Sequence, residues 1–184
     1  MLFHPRLQRI SLTYAKSVDL AAKILTVSDS VVAGGREDTA GPRLAILLEE
    51  HGYAVVERRA VADGIESVAL ALREMTTNFS GLLVTTGGTG FSPRDLTPEA
   101  TMKVVDREAP GLAEAMRTAS PLGRLSRARA GTIGHCLILN TPGSPRGATE
   151  YLEAVLDVLA HALELLSGDQ NQQHPPEIGG STAI

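Results

Sequence analysis

Short runs of apolar and β-branched residues alternate along this chain with longer stretches in which apolar positions recur every three or four residues. Residues 23–28 (KILTVS), 53–61 (YAVVERRAV) and 81–86 (GLLVTT) have the length and composition of strands, the first and third apolar enough to be buried in a parallel sheet. Between them, Leu44, Leu47 and Leu48 mark one helix, and Ile65, Val68, Ala69, Leu72 and Met75 mark another over residues 65–75. The first of these is expected to start at Asp38 or Thr39, either of which offers a capping oxygen, with Pro42 in its first turn and Gly52 past its end. Further helices are expected over 97–105 and 112–120. AGTIG and HCLILN then form two strands joined at Gly134, with His135 a hydrogen-bonded strand residue. A last helix runs over 146–166, with Leu152, Val155, Leu156, Leu159, Leu163 and Leu166 on one face. Residues 31–38 (VVAGGRED) form a flexible loop, and residues 121–129 (PLGRLSRAR) are basic and lack a pattern. Strand, loop and helix in this succession predict an α/β fold. It is a single-domain three-layer sandwich with a mostly parallel central sheet, helices on both faces and right-handed crossovers. Residues 1–20 form an N-terminal extension, 21–167 the folded domain and 168–184 a polar, disordered tail.

Composition narrows the function. A chain of 184 residues can bury a core of its own as one domain. The net charge of −4 gives no global basic field for nucleic acid, and 3% aromatics without tryptophan give no base-stacking surface. The single cysteine, Cys136, excludes an intrachain disulfide and a multi-cysteine metal site, and within HCLIL it is expected to act as a small buried hydrophobe. No apolar run reaches the ~18 residues of a membrane span, and the N-terminal residues lack the uninterrupted apolar core of a signal peptide. A cytoplasmic protein is expected.

The candidate chemistry centres on TTGGTGFSPRDLTPE, residues 85–99. A buried strand that ends in Gly87, Gly88 and Gly90 and opens onto a helix presents bare backbone N–H groups, which suits an anion. In an open α/β sheet the loops at the carboxyl ends of the strands converge on one ligand crevice. Here those loops carry Ser28 and Asp29, then Asp63, then residues 85–95, then Pro142 and Gly143. Asp29, Asp63 and Asp95 are hard oxygen ligands suited to magnesium. Each also has a plainer reading: Asp29 as a turn cap, Asp63 in a local Asp-Gly turn, Asp95 as the cap of the next helix. Glu99 is equally an ordinary first-turn carboxylate, and Ser126 and Arg127 a solvated surface pair. No Lys-Ser or Lys-Thr follows the glycines, which excludes a Walker-type loop. TTGGTG lacks the dinucleotide spacing, and no nucleophile elbow exists.

Six segments together resemble the molybdopterin-binding family of molybdenum-cofactor synthesis, which includes bacterial molybdopterin adenylyltransferase and the G domains of gephyrin and its plant counterpart. They are TVSDS (26–30), DTAGP (38–42), TTGGTGFSPRDLTPEAT (85–101), EAPGL (108–112), LSRARAG (125–131) and LNTPGSP (139–145), and the similarity covers residues 22–176. The resemblance implies transfer of AMP from Mg-ATP to the terminal phosphate of molybdopterin with release of pyrophosphate. It makes Asp63 and Asp95 the catalytic and magnesium-binding residues. Ser28, Asp29, Gly87, Gly88, Thr89, Gly90, Glu99, Ser126, Arg127, Pro142 and Gly143 fall in the molybdopterin and ATP pocket. It also implies a homo-oligomer, a trimer ahead of a hexamer, and a downstream molybdenum-insertion protein as partner. The rival readings are a non-catalytic molybdopterin-binding or assembly protein of the same family, which the joint presence of Asp63 and Asp95 disfavours, and a partner-binding scaffold, for which the sequence offers no distinct segment.

Overall fold

The computed structural model describes residues 20–168, so the expected extension up to residue 19 and the tail from residue 169 lie outside the described residues. Six strands, β1 (Ala21–Val27), β2 (Ala54–Val61), β3 (Gly81–Thr86), β4 (Arg107–Glu108), β5 (Ala130–Ile133) and β6 (Cys136–Thr141), form one sheet in the order β2-β1-β3-β6-β5-β4. The first four in that order are parallel, and β5 and β4 follow antiparallel to their neighbours. Among the described residues seven helices surround them: α1 (Asp29–Val32), α2 (Ala40–Glu50), α3 (Ile65–Thr76), α4 (Thr97–Met102), α5 (Pro110–Thr118), α6 (Pro145–Glu153) and α7 (Leu156–Ser167).

The strand period of two divides the core. Ala22, Ile24, Leu82, Val84, Leu137 and Leu139 face one layer with Leu44 and Leu48 of α2, Leu152 of α6 and Leu159 of α7. Their sequence neighbours Leu25, Leu83 and Ile138 face the other layer, with Val68 and Leu72 of α3 and Ala100 of α4. Burial on both faces is why these strands carry continuous apolar runs. The chain moves from β1 out to β2 over α2, then back to β3 over α3. Crossovers of one hand in opposite directions put their helices on opposite faces, as found here. This is the three-layer α/β sandwich anticipated from the sequence. Its strand order reverses between β1 and β3, the kind of switch point beside which ligands bind in open α/β sheets. Among the described residues no helix is long and apolar enough to cross a membrane.

Several local expectations change. The single helix over 146–166 is two, because Val155 leaves helical geometry (φ −132°, ψ −5°) and is 1% exposed. Its burial turns the axis so that Tyr151 and Leu152 on one side and Leu159 and Leu163 on the other reach the same core. The leucine spacing continues across the break, so periodicity alone does not reveal it. Asp38, not Thr39, secures the start of α2: its Oδ1 accepts from Gly41 N–H (2.9 Å) and its Oδ2 from the Thr26 hydroxyl (2.7 Å), tying the helix to the end of β1. The stretch expected as a loop after Ser28 begins with one turn of helix, α1, capped by the Ser28 hydroxyl, which accepts from Val31 N–H (3.3 Å). The unpatterned segment contains a 3-10 turn, Pro121–Leu125, and β4 is too short to leave a sequence signal. His135 lies in the turn between β5 and β6 rather than in a strand, its ring Nδ1 2.6 Å from the Leu166 carbonyl.

Cys136 is fully buried, and burial pushes its thiol up to about 12 against the smaller opposing influence of Lys23. Native protein at pH 8 is therefore expected to resist a thiol reagent, with one equivalent reacting on denaturation; stoichiometric labelling of the folded protein would contradict the packing. At the end of β3, Gly87 has φ +105° and a Cβ there would lie 2.2 Å from the Val27 carbonyl oxygen. Gly87→Ala is expected to cost about 2–4 kcal/mol in urea denaturation, and a wild-type midpoint would show that the two strand ends are not in this contact.

Candidate active site

The three glycines after β3 each answer to a close neighbour. Gly87 donates its N–H to the Thr141 carbonyl (3.1 Å), and a Cβ on Gly143 would lie 3.3 Å from the Gly87 Cα. With the Thr86 hydroxyl donating to the Pro142 carbonyl (2.7 Å), the loops after β3 and β6 pack backbone on backbone. At Gly88 a Cβ would meet Thr97 Oγ1 at 2.3 Å and Asp63 Oδ1 at 3.3 Å; at Gly90 it would meet Asp95 Oδ2 at 2.9 Å. Thr97 fastens the loop to α4, its hydroxyl donating to Gly87 O (2.9 Å) and its N–H to Gly88 O (3.0 Å). The N–H groups of Gly88, Thr89 and Gly90 donate to no described residue, while all three residues line a cleft of about 610 Å³. Such a row of unpaired donors is an anion cradle.

The carboxylates around the loop have distinct partners. Asp63 Oδ2 accepts from the Asp29 N–H (2.8 Å), and Asp29 Oδ1 accepts from the Asp63 N–H (3.0 Å), a reciprocal pair across 34 positions of sequence. This bond to another loop replaces the purely local turn role for Asp63. Arg94 grips Asp29 with Nε on Oδ2 (3.0 Å) and Nη2 on Oδ1 (2.9 Å), and Nη2 also donates to the Asp63 carbonyl (2.7 Å). The Arg94 guanidinium, ahead of the opposing desolvation and the smaller help of the Asp63 N–H, holds the Asp29 carboxyl below its ordinary range. Asp95 does not cap α4; its Oδ2 turns back to accept from Ser92 N–H (2.9 Å), and Leu96 takes the cap position.

Arg127 and Ser126 are not a solvated pair. Arg127 donates from Nε to Gly90 O (2.8 Å), from Nη2 to Asp95 O and from Nη1 to Glu99 Oε1, and its backbone N–H reaches Thr89 O (2.8 Å). The guanidinium thus clamps both ends of the 90–95 loop and the first turn of α4. Glu99 stands in that first turn as expected, and its Oε2 is buried with no hydrogen-bond partner among the described residues. The Ser126 and Thr89 hydroxyls are 3.3 Å apart.

Gly88, Thr89, Gly90, Asp95, Ser126, Pro142 and Gly143 line the cleft together. Gly87, Glu99 and Arg127 are outside this lining, and Ser28, Asp29 and Asp63 lie just past the ends of β1 and β2, with Ser28 engaged in capping α1. The far wall, which the sequence did not single out, comes from Ser120 and Leu122 at the 3-10 turn and from Arg146, Glu150 and Tyr151 on α6. The i,i+4 pair Arg146–Glu150 directly after the Pro142-Gly143 loop was a usable signal for the α6 side, whereas the 3-10 turn offered none.

Among the described residues no group of three or more His, Cys, Asp or Glu side chains forms a ready metal cage. Magnesium does not need one, since it takes one or two carboxylates and completes its shell with phosphate and water. Asp63 and Asp95 fit that requirement: each commits Oδ2 to a backbone N–H, and Oδ1 accepts from no described residue.

The model of the family described as a probable molybdopterin binding domain matches residues 23–161. A molybdopterin adenylyltransferase of Helicobacter pylori is 36% identical over 162 residues, covering 84% of this chain and 92% of its own length. One from Haemophilus influenzae is 39% identical over 144 residues, covering 73% and 72%. Among solved structures, the molybdopterin biosynthesis enzyme MoaB of Thermus thermophilus is 45% identical with a TM-score of 0.77, over 82% of this chain and 98% of that one. With the fold, the glycine loop and these matches in agreement, the chain belongs to the molybdopterin-binding domain family of molybdenum-cofactor biosynthesis.

Proposed function

We propose that this protein is a molybdopterin adenylyltransferase, transferring AMP from Mg-ATP to the terminal phosphate of molybdopterin and releasing pyrophosphate. The observation that carries the reading is the row of unpaired N–H groups at Gly88, Thr89 and Gly90, set between two carboxylates that each keep one oxygen free. The names of the Helicobacter and Haemophilus relatives support the same reaction.

In this reaction an oxygen of the molybdopterin phosphate forms a bond to the α-phosphorus of ATP as the bond from that phosphorus to the bridging oxygen breaks. The electron pair leaves with pyrophosphate. No protein nucleophile is required, so catalysis lies in positioning two anions and balancing their charge. The backbone donors of residues 88–90 hold phosphate oxygens and need no reorganisation as charge shifts. Ser126 and Thr89 add hydroxyls at one side, and Pro142 and Gly143 close the other. Asp63 and Asp95 would hold magnesium, which when bound neutralises phosphate charge and draws electron density from the phosphorus. Arg127 keeps the cradle in shape, since its donors are engaged with the loop and with Glu99. The same reading makes the protein a cytoplasmic homo-oligomer, a trimer ahead of a hexamer, that passes its product to a molybdenum-insertion protein. The exposed side chains of Ile46 and Val56 offer apolar surface for self-association.

Purified protein mixed with molybdopterin and Mg-ATP is expected to release pyrophosphate and yield adenylylated molybdopterin by mass spectrometry. Asp63→Asn and Asp95→Asn are each expected to lower turnover by about 100-fold or more while molybdopterin affinity stays within a few fold. Binding of molybdopterin by the wild type without pyrophosphate release would replace this reading with a non-catalytic pterin-binding role. Full turnover in either variant would remove that carboxylate from the mechanism.

A further inference from the structure

The resemblance puts Asp29 among the ligand-binding residues, yet its carboxylate is occupied within the protein. Oδ1 receives the Asp63 N–H and Nη2 of Arg94, and Oδ2 receives Nε of Arg94, all within 2.9–3.0 Å. These bonds join the loops after β1, β2 and β3. Asp29 and Arg94 are 49% and 59% exposed at the side chain, so their ion pair contributes little to stability. What the pair does fix is direction. A two-point grip sets the plane of a guanidinium, and the reciprocal N–H bonds set the Asp63 carboxylate. Within this network two positions have no described partner: Oδ1 of Asp63, an acceptor, and Nη1 of Arg94, a donor. One suits a cation and the other a phosphate oxygen.

We propose that Asp29 is a positioning residue that holds Asp63 and Arg94 in the orientation that receives a metal-bound polyphosphate, and does not itself touch the ligand. This inference rests on the adenylyltransferase reading, because that reading supplies the Mg-ATP. Arg94 is then the group that meets a phosphate oxygen of ATP, through the part of its guanidinium that Asp29 leaves free.

A double-mutant cycle separates positioning from direct contact. Asp29→Asn keeps an oxygen for the Asp63 N–H and removes the charge that grips Arg94, so it isolates that leg of the network. In the wild-type background it is expected to weaken Mg-ATP binding, measured by calorimetric titration, about tenfold, the scale of a lost orientation. In an Arg94→Ala background the same change is expected to alter affinity by less than about twofold. Molybdopterin affinity and the thermal midpoint are expected to stay close to wild type in Asp29→Asn. Equal weakening in both backgrounds would make Asp29 a direct ligand contact. No weakening in either background, or a wild type without affinity for Mg-ATP, would also overturn the proposal. The readout is binding, so a wild type that binds Mg-ATP but transfers no AMP defeats the adenylyltransferase reading and leaves the result of the cycle standing.

Discussion

The site depends on one close approach of backbone to backbone. Gly87 sits between the ends of β1 and β6, where a Cβ would run into the Val27 carbonyl, while its N–H is held by the Thr141 carbonyl and Gly143 packs on its Cα. Only a residue without a side chain, at φ +105°, lets three parallel strands end this close together. That closeness brings the glycine loop and the Pro142-Gly143 loop into one cleft, with Asp29 on the neighbouring strand end. The cleft itself opens beside the ends of β3 and β6, next to the point between β1 and β3 where the strand order reverses.

Charge in the site is divided between groups that hold the protein and groups left for a ligand. The side chain of Arg127 lies near the phosphate cradle, but three of its nitrogens are engaged with Gly90, Asp95 and Glu99. It acts as a brace. Asp29 is likewise engaged with Asp63 and Arg94. Free positions remain on the amides of residues 88–90, on Oδ1 of Asp63 and Asp95 and on Nη1 of Arg94. The cradle thus offers dipolar donors to an anion and bare carboxylate oxygens to a cation.

The fold was legible because both faces of the sheet are covered. Continuous apolar runs mark β1, β3 and β6, and three-to-four spacing marks α2 and α3. The break between α6 and α7 escaped because Val155 and Leu156 continue the apolar spacing through it, and β4 escaped because two exposed residues carry no periodicity. The glycine loop was visible as a pattern of residue types. The partners of its charged neighbours were not, since Arg94 meets Asp29 across 65 positions and Arg127 reaches Gly90 across 37. Long polar side chains can pair in many ways, and only the packed loops select one. Asp63 shows the same limit: an Asp-Gly pair signals a turn, and nothing local announces the reciprocal bond to Asp29.

In the proposed reaction the amides after β3 hold substrate phosphate between Asp63 and Asp95. A crystal structure of the protein with molybdopterin and a non-hydrolysable Mg-ATP analogue tests it most directly. Phosphate oxygens are expected within about 3 Å of the N–H groups of Gly88, Thr89 and Gly90, with magnesium bound by Oδ1 of Asp63 and Asp95. Phosphates bound elsewhere in the cleft, with these amides facing only water, would contradict the account.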